Sequence, residues 1–311
     1  MIQSISIENF RCFDKTEIKG FQRMNLITGK NNSGKTCLLE AVYFCLSSDM
    51  KGLMNIRGVQ PDKSNRDFFK EITFLNRRFI EFQYSINNNI VERSFDTHDP
   101  NFNQEKEIKN NELNIKSEVK LIIDKDKQIP ESENFVKIID RLQILGLYEK
   151  VIEAVRLIDS EIEDIRSFAS YPTILYIKRK GNKDYLPLSF FGDALQKILR
   201  YVSAILNFDN YRSDSKYLLI DEIENGIHYT AQKEVWQMLF KLCQHFDIQL
   251  FATTHSLEMI KAFEEVCEEF EEEGAYFEMA RHAKTNQIIG IKHQISTLEY
   301  ELETNAAIRG E

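Results

Sequence analysis

Hydrophobic and polar residues alternate along much of the N-terminal part of the chain, and strict alternation is typical of strands with one buried face. Residues 2–7 (IQSISI) show this pattern most clearly. The same pattern predicts further strands at residues 16–19, 21–28, 71–82, 83–95 and 118–123. Residues 97–114 are dominated by Asn, Lys, Glu and Asp and are the most loop-like stretch. We therefore expect an N-terminal antiparallel β region, with an asparagine-rich turn at residues 87–89.

Other segments carry apolar residues at the helical period of about 3.6 positions. Residues 135–168 predict one or two amphipathic helices that break near Gly146. Residues 37–46 and 231–246 predict a helix each, whereas the polar, glycine-containing residues 48–67 predict a connection without regular structure. The glutamate-rich residues 263–273 predict the solvated face of another helix, with an acidic docking surface as the alternative.

Short apolar runs without alternation complete the pattern, and such runs are typical of buried strands. They lie at residues 173–177, 216–220 and 248–253. The tail predicts two more strands, at residues 276–279 and 287–292, and a short helix at 295–303. Together the elements fit one large α/β domain or two smaller ones.

A glycine loop lies between the predicted strand at residues 21–28 and the predicted helix at 37–46. Its sequence, GKNNSGKT at residues 29–36, fits the spacing G-x-x-x-x-G-K-[ST]. Two glycines let successive backbone N–H groups and a helix N-terminus point at one anion, the lysine reaches the outer phosphates, and the threonine hydroxyl suits Mg²⁺. The candidate nucleotide-binding residues are Gly29, Asn31, Asn32, Ser33, Gly34, Lys35, Thr36 and Cys37.

Polar residues follow two of the predicted buried strands. Asp221 and Glu222 end the first, where parallel strands deliver side chains to the carboxyl edge of a sheet. Asp221 is expected to hold Mg²⁺ together with Thr36, and Glu222 to orient or deprotonate the attacking water. His255 follows the second strand, where it can donate a hydrogen bond to a γ-phosphate. The alternatives are solvent-exposed acids at a strand end and a histidine that neighbours a helix cap.

Composition narrows the function classes. The chain has 311 residues, a hydrophobic content of 42% and a formal net charge of −9, which argues against a surface coated with basic residues for nucleic acid. A local basic turn at residues 178–183 (KRKGNK) is either a phosphate-backbone contact or a charged hairpin tip. No apolar stretch approaches the ~20 residues of a membrane span and no signal peptide is evident, so we expect a cytoplasmic protein. The five cysteines lack metal or disulfide spacing and fit reduced thiols.

Four motifs together resemble a known family. They are Asn9-Phe10-Arg11, the loop at 29–36 followed by Leu38-Leu39-Glu40-Ala41, the run LIDEIENGIH at 219–228, and ATTHS at 252–256. They resemble the ABC-type ATPase heads of SMC, RecF and OLD (overcoming-lysogenization-defect) proteins, above all the OLD-like branch of bacterial antiphage systems. The resemblance implies an α/β P-loop fold with a mixed central sheet, an N-terminal antiparallel β region and a helical signature lobe. It implies one ABC-type domain over residues 1–311, with a nucleotide-binding lobe at 1–130 and 207–311 and a signature-containing lobe at 131–206.

The resemblance also assigns roles. Lys35 and Thr36 correspond to the Walker A residues, Asp221 to the Walker B acid, Glu222 to the catalytic glutamate and His255 to the switch histidine. Residues 225–228 correspond to the D-loop, which faces a second subunit. Residues 187–197 (PLSFFGDALQK) resemble the signature segment, in which Ser189, Gly192 and Asp193 are expected to contact the ATP bound by the partner. Ala194 stands where a second glycine is usual and Phe190 where a serine is common.

These roles imply a Mg²⁺-dependent ATPase that forms a homodimer or higher oligomer around ATP and gates an effector. OLD proteins commonly continue into a Toprim nuclease, and no acidic nuclease motif is evident in these 311 residues, which predicts a separately encoded nuclease or toxin. DNA stays open as a partner, and no membrane is expected. The alternatives are a non-hydrolysing ATP-dependent scaffold or antitoxin-like clamp, and a DNA repair or processing ATPase. The signature departs from that of a transporter, and no guanine-recognition motif of a GTPase follows the Walker B strand.

Overall fold

A computed structural model of the chain describes residues 1–58, 72–86, 89–97, 105–108, 117–122, 135–156, 159–208, 213–270 and 273–295. The described strands are β1 (Ile2–Phe10), β2 (Phe13–Lys19), β3 (Met24–Thr28), β4 (Phe79–Ile86), β5 (Asn89–Asp96), β6 (Glu105–Ile108), β7 (Ser117–Ile122), β8 (Ile162–Phe168), β9 (Tyr171–Arg179), β10 (Leu186–Pro187), β11 (Ser215–Ile220), β12 (Ile248–Thr253), β13 (Gly274–Arg281) and β14 (Ile288–His293). The described helices are α1 (Lys35–Ser47), α2 (Met50–Ile56), α3 (Phe135–Ile144), α4 (Tyr148–Arg156), α5 (Asp193–Leu206), α6 (Gln232–Phe246) and α7 (Leu257–Glu269). Short 3-10 turns cover Phe74–Asn76, Leu188–Phe190 and Tyr229–Ala231.

The central sheet has the strand order β14-β13-β3-β12-β11-β7. Its strands run parallel from β13 to β7, and β14 pairs antiparallel with β13, so the sheet is mixed as predicted. Successive side chains of a strand point to opposite faces, and β11 shows this clearly. Leu218 and Ile220 pack into one hydrophobic cluster, with the helices α3 to α7, and Tyr217 and Leu219 pack into the other. A strand buried on both faces has to be apolar throughout, which explains its unbroken apolar run.

The second sheet is the predicted N-terminal antiparallel region, with the order β2-β1-β4-β5-β6. It packs on α1 through an aromatic cluster in which the Phe44 and Phe95 rings lie 4.4 Å apart, and Phe10 and Phe82 join them. Because these rings come from four different elements, their burial ties the sheet to the helix that follows the glycine loop.

The predicted loop at residues 97–114 is wrong in part, because β6 lies within it and pairs with β5. The β6 strand forms through backbone hydrogen bonds to β5, and the polar sequence of this stretch does not indicate such pairing. The predicted strand at 71–82 also starts too early, since a 3-10 turn precedes β4. The predicted turn at residues 87–89 and the helix at 295–303 fall largely outside the described residues.

A third, small sheet has the order β10-β9-β8 and corrects the helical prediction for residues 162–168. Ile162 and Ile165 are both buried, and a spacing of three residues suggested one face of a helix. In the structure they lie in β8, whose register with β9 shifts between Ile162 and Asp164. Such a bulge adds one residue, so side chains three apart reach the same face of the sheet.

The remaining helices fit the predictions with two exceptions, because the pattern predicted no helix for α2 or α5. α3 and α4 are separated at Gly146, which has a φ of +66°, and α7 turns its glutamates to solvent, as predicted for a solvated helix face. α2 lies where only a connection was expected. The Asp49 carboxylate accepts a 2.8 Å hydrogen bond from the Gly52 N–H, and Leu53 is fully buried, so a cap and a core contact form this helix. Within the described ranges, no helix is long and apolar enough to cross a membrane.

Candidate functional site

The glycine loop between β3 and α1 has a backbone that only glycine fits at its first position. Gly29 has a φ of +135°, and a Cβ there would lie 2.2 Å from the Met279 carbonyl oxygen of β13. Gly34 has a φ of +97° and precedes the first turn of α1, where a Cβ would lie 3.2 Å from the Cys12 Sγ. The loop therefore lies tightly against β13 and curls into the helix N-terminus, where free N–H groups favour an anion.

The polar side chains of this loop fit a phosphate group. Lys35 is buried, and its Nζ donates hydrogen bonds to the carbonyl oxygens of Gly29, at 2.8 Å, and Lys30, at 3.1 Å. Burial lowers the pKa of Lys35 to about 8, although nearby carboxylates act to raise it. The Ser33 hydroxyl is buried and has no hydrogen-bond partner among the described residues. A buried cation and an unsatisfied hydroxyl at a helix N-terminus suit an anionic ligand.

The remaining predicted loop residues lie around this cradle. Asn31 and Asn32 are exposed, and Asn32 has a left-handed φ of +60°. Cys37 lies in the first turn of α1, near Cys12 and Arg11 of the β1–β2 turn. Cys12 and then the Arg11 guanidinium lower the pKa of the Cys37 thiol, although burial opposes them. The thiol therefore faces the β1–β2 turn.

Thr36 and Asp221, the two predicted magnesium residues, are in contact. The Thr36 hydroxyl donates to the Asp221 carboxylate, with Oγ1 lying 3.0 Å from Oδ2 and 3.2 Å from Oδ1. Burial raises the pKa of Asp221, whereas the hydrogen bonds from Thr253 and Thr36 act to lower it. Hydroxyl and carboxylate oxygens are the donors that Mg²⁺ prefers. No group of three or more His, Cys, Asp or Glu suited to a metal occurs in the described part of the chain, so the fit is to a cation that takes its other ligands from phosphate and water.

Thr253, at the end of β12, connects the two acids that end β11. Its hydroxyl donates a 2.6 Å hydrogen bond to Asp221 Oδ1 and accepts a 2.9 Å bond from the Glu222 N–H. The Ile223 N–H also donates to the Thr253 carbonyl oxygen, at 3.0 Å. Thr253 is fully buried. One hydroxyl on the neighbouring strand therefore fixes the backbone turn between Asp221 and Glu222.

The Glu222 side chain is turned away from that of Asp221 by a left-handed backbone. Its φ is +49°, which is uncommon for a non-glycine residue, and its carboxylate accepts a 2.6 Å hydrogen bond from Asn225 Nδ2. Left-handed residues of this kind cluster at functional sites, where surrounding contacts maintain them. Here the contacts come from Thr253 and Asn225, so the glutamate is held at the surface of the site and half-exposed.

His255 lies at the same edge of the sheet, two residues after the end of β12. Its backbone N–H donates a 2.7 Å hydrogen bond to Glu224 Oε1, and its ring is exposed. Partial burial and then the charge of Lys35 lower the pKa of His255, so the imidazole is neutral at pH 7. The structure thus brings Lys35, Glu222 and His255, the three predicted catalytic residues, to one edge.

The signature residues lie elsewhere on the surface. Ser189, Gly192 and Asp193 are exposed around the start of α5, and Phe190 is 74% exposed. In the described ranges no hydrogen bond or ion pair joins Ser189, Gly192 or Asp193 to the glycine loop of the same chain. Asp193 lies near Gly226 instead, since a Cβ on Gly226 would lie 3.2 Å from the Asp193 Cβ.

The sequence reasoning assigned no role to Thr253 or to the Arg11–Glu40 ion pair. Glu40 on α1 is almost fully buried, with its carboxylate 2.9 Å from an Arg11 nitrogen and 3.0 Å from Arg57 Nε. The sequence does contain one signal of this ion pair: Glu40 is a charged residue among the apolar residues of a predicted helix. In the basic turn at residues 178–183, two of the cations form ion pairs within the chain. Lys178 pairs with Glu163 at 3.2 Å and Arg179 pairs with Asp159, which fits the alternative of a charged hairpin tip.

Comparisons with known proteins agree with this geometry. The family model described as AAA ATPase domain matches residues 1–178, more than half of the chain. A second model, described as an AAA domain and naming the AbiEii toxin of a type IV TA system, matches residues 118–261. An ATP/GTP phosphatase of Helicobacter pylori is 28% identical over 86% of this chain and 89% of its own length. The DNA replication and repair protein RecF of Rickettsia prowazekii is 25% identical over 78% and 76%, respectively.

Solved structures show the same fold. An SMC head bound to the C-winged helix domain of ScpA superimposes with a TM-score of 0.62 at 12% sequence identity. The match covers 96% of this chain and 99% of that structure, so the predicted α/β P-loop architecture is confirmed. The chain therefore belongs to the AAA ATPase domain family, and it is similar to RecF in sequence and to SMC heads in fold.

Proposed function

We propose that this ATPase binds ATP with Mg²⁺ at the glycine loop and hydrolyses it with Glu222. The observation that carries the proposal is the Thr253 hydroxyl, which links Asp221 to the Glu222 backbone beside Thr36. Thr36 and Asp221 hold the metal, which when bound neutralises charge on the phosphates. Lys35 exchanges its two loop carbonyl partners for phosphate oxygens, and Glu222 orients the water or takes its proton.

We further propose that the active form is a dimer in which each signature segment completes the partner's site. Support comes from Ser189, Gly192 and Asp193, which are exposed and, within the described ranges, make no hydrogen bond or ion pair to the glycine loop of their own chain. In this dimer the nucleotide-binding lobe comprises residues 1–130 and 207–311, and the signature-containing lobe comprises residues 131–206. His255, at the edge that also carries Lys35, donates a hydrogen bond to the γ-phosphate.

The finer proposal is that the dimer gates a separately encoded nuclease or toxin, in an OLD-like antiphage role. The motif resemblance supports it, and so does the toxin system named in the description of the second family model. ATP can gate such a partner only to the extent that it binds the closed state more tightly than the open one. A second candidate is a scaffold that binds ATP with slow turnover, favoured by Phe190 and Ala194 in the signature segment.

The test combines steady-state ATP hydrolysis with the mass of the protein in solution, with and without Mg-ATP. We expect turnover that Glu222→Gln reduces at least 100-fold, and ATP-dependent dimerisation that Lys35→Ala abolishes together with nucleotide binding. Equal, near-zero turnover of wild type and Glu222→Gln, with binding that still requires Lys35, indicates the scaffold instead. Nucleotide binding that is unaffected by Lys35→Ala contradicts both candidates.

A further inference from the structure

A further glutamate, Glu224, joins the two polar segments that form the site. It lies four residues after the end of β11 and is half-buried. Its Oε1 atom accepts a 2.7 Å hydrogen bond from the N–H of His255, which lies two residues after the end of β12. Its Oε2 atom is buried and has no hydrogen-bond partner among the described residues. The carboxylate thus links the segment after β11 to the segment after β12.

This link matters because the segment after β12, at residues 254–256, is neither strand nor helix. The N–H groups on either side of His255 have other partners. Thr254 donates to the Ile27 carbonyl oxygen of β3 at 3.1 Å, and the Ser256 N–H donates to the Thr254 hydroxyl at 3.0 Å. The backbone that carries the imidazole is therefore held from the β11 side by the Glu224 carboxylate.

The charge of Glu224 also acts on the site. Burial and then the charge of Lys35 lower the pKa of His255. The Glu224 carboxylate opposes this decrease in pKa more strongly than Glu222 does. Burial lowers the pKa of Lys35 as well, and there Glu224 opposes the decrease second only to Asp221. Glu224 therefore lies at the same edge as the predicted catalytic residues, although the sequence motifs gave it no role.

We propose that Glu224 is a positioning residue for hydrolysis, which holds the His255 backbone so that the imidazole reaches the γ-phosphate of bound ATP. This inference rests on the proposed function of the site. A hydrogen bond to an ionised acceptor is one of the stronger kinds in proteins, so it suits the task of fixing an irregular segment. A displacement of ~1 Å in such a contact can lower turnover ~100-fold. A role in stability alone does not explain the arrangement, because a buried carboxylate oxygen without a partner is destabilising.

Amide hydrogen exchange of the full chain tests the contact without any nucleotide. Glu224→Ala is expected to speed exchange in the peptide that spans residue 255, because the 2.7 Å hydrogen bond is lost. Glu224→Gln keeps an acceptor oxygen and should retain the protection. The matched control is Glu258→Ala, whose exposed carboxylate accepts a 2.9 Å hydrogen bond from the Ser256 hydroxyl of the same segment. It should leave exchange at residue 255 unchanged.

Steady-state hydrolysis tests the role. Glu224→Ala should lower kcat roughly tenfold or more, whereas Glu224→Gln should recover most of the turnover. Glu258→Ala should turn over like wild type. Affinity for Mg-ADP, measured by calorimetry, should stay within about twofold in Glu224→Ala, because ADP lacks the phosphate that His255 contacts. In the His255→Ala background, Glu224→Ala should cause no additional loss of kcat, since one residue acts through the other.

Other results overturn the inference. Equal exchange in wild type and Glu224→Ala would show that the carboxylate does not hold the segment. Wild-type turnover in Glu224→Ala would refute the positioning role alone. Losses that add in the double variant, or a Glu224→Gln variant as slow as Glu224→Ala, would mean that Glu224 does not act through the His255 backbone. A wild-type protein without turnover would refute the proposed function and the positioning role together, and the exchange experiment would still decide whether the contact exists.

Discussion

Replacing Thr253 by valine tests whether one hydroxyl organises the catalytic edge. The methyl group that replaces the hydroxyl has a similar size and valine suits a strand, so packing changes little. Two hydrogen bonds are lost, one from the hydroxyl to the Asp221 carboxylate at 2.6 Å and one to the hydroxyl from the Glu222 N–H at 2.9 Å. The first involves a charged group and is worth roughly 1.5–3 kcal/mol, and an unsatisfied N–H costs roughly 1–3 kcal/mol.

Thr36 still donates to Asp221, so the carboxylate keeps one partner and the loss falls in the lower part of this range. We expect a decrease of about 3 kcal/mol in the free energy of unfolding, which corresponds to roughly 5–10 °C in Tm. We also expect kcat to fall about 100-fold, because the left-handed Glu222 backbone loses the contact that maintains it and the carboxylate moves. KM should change less, since Lys35 and the glycine loop are untouched.

The assay is thermal unfolding together with phosphate release at saturating Mg-ATP. Thr253→Ser is the matched control, because it keeps the hydroxyl and removes a methyl group. It should retain most of the turnover even where packing costs some stability. If the valine and serine variants have the same kcat, the hydroxyl does not organise the site, and the assignment of Thr253 as a positioning residue is refuted.

Three further predictions follow from the loop and its neighbours. Burial lowers the pKa of Lys35 to about 8, so the ammonium loses its proton as pH rises through that value. The affinity for Mg-ATP, measured by calorimetry, should therefore fall between pH 7 and pH 9. An affinity that stays constant over this range would contradict the prediction. Gly29→Ala places a methyl group against a β13 carbonyl at a φ of +135°. It should lower the free energy of unfolding, measured with denaturant, by about 3 kcal/mol or more. Gly181→Ala, at a φ of +78° with open space, should cost only about 1 kcal/mol, and equal losses would refute the steric account. Glu222→Gln should keep Mg-ATP affinity within a few-fold of wild type by calorimetry, because the glutamine still fits beside Asn225; a large loss of affinity would place Glu222 in binding instead of catalysis.

Much of the site can be predicted from the sequence because its chemistry is local. The glycine loop, Lys35 and Thr36 lie within eight consecutive residues, and the spacing of the glycines already implies the curled backbone. Asp221 was identified from an unbroken apolar run that ends in acids, since such runs are typical of strands buried on both faces. The antiparallel region was predictable for the same reason, because its periodicity is carried by near neighbours in the chain, whereas the mixed central sheet was implied by the family resemblance.

Only the tertiary structure decided what depends on pairing between distant segments. β3 lies between β12 and β13, so strands more than 200 residues apart in sequence bring Met279 to Gly29, and the pairing of β11 with β12 brings Thr253 to Asp221. Residues 162–168 form a strand because they pair with β9, and a bulge in that pairing brings Ile162 and Ile165 to the same face. The sequence by itself thus determined which chemical groups the protein has for ATP. Long-range pairing and packing, which no local pattern records, decided how those groups are oriented toward one another.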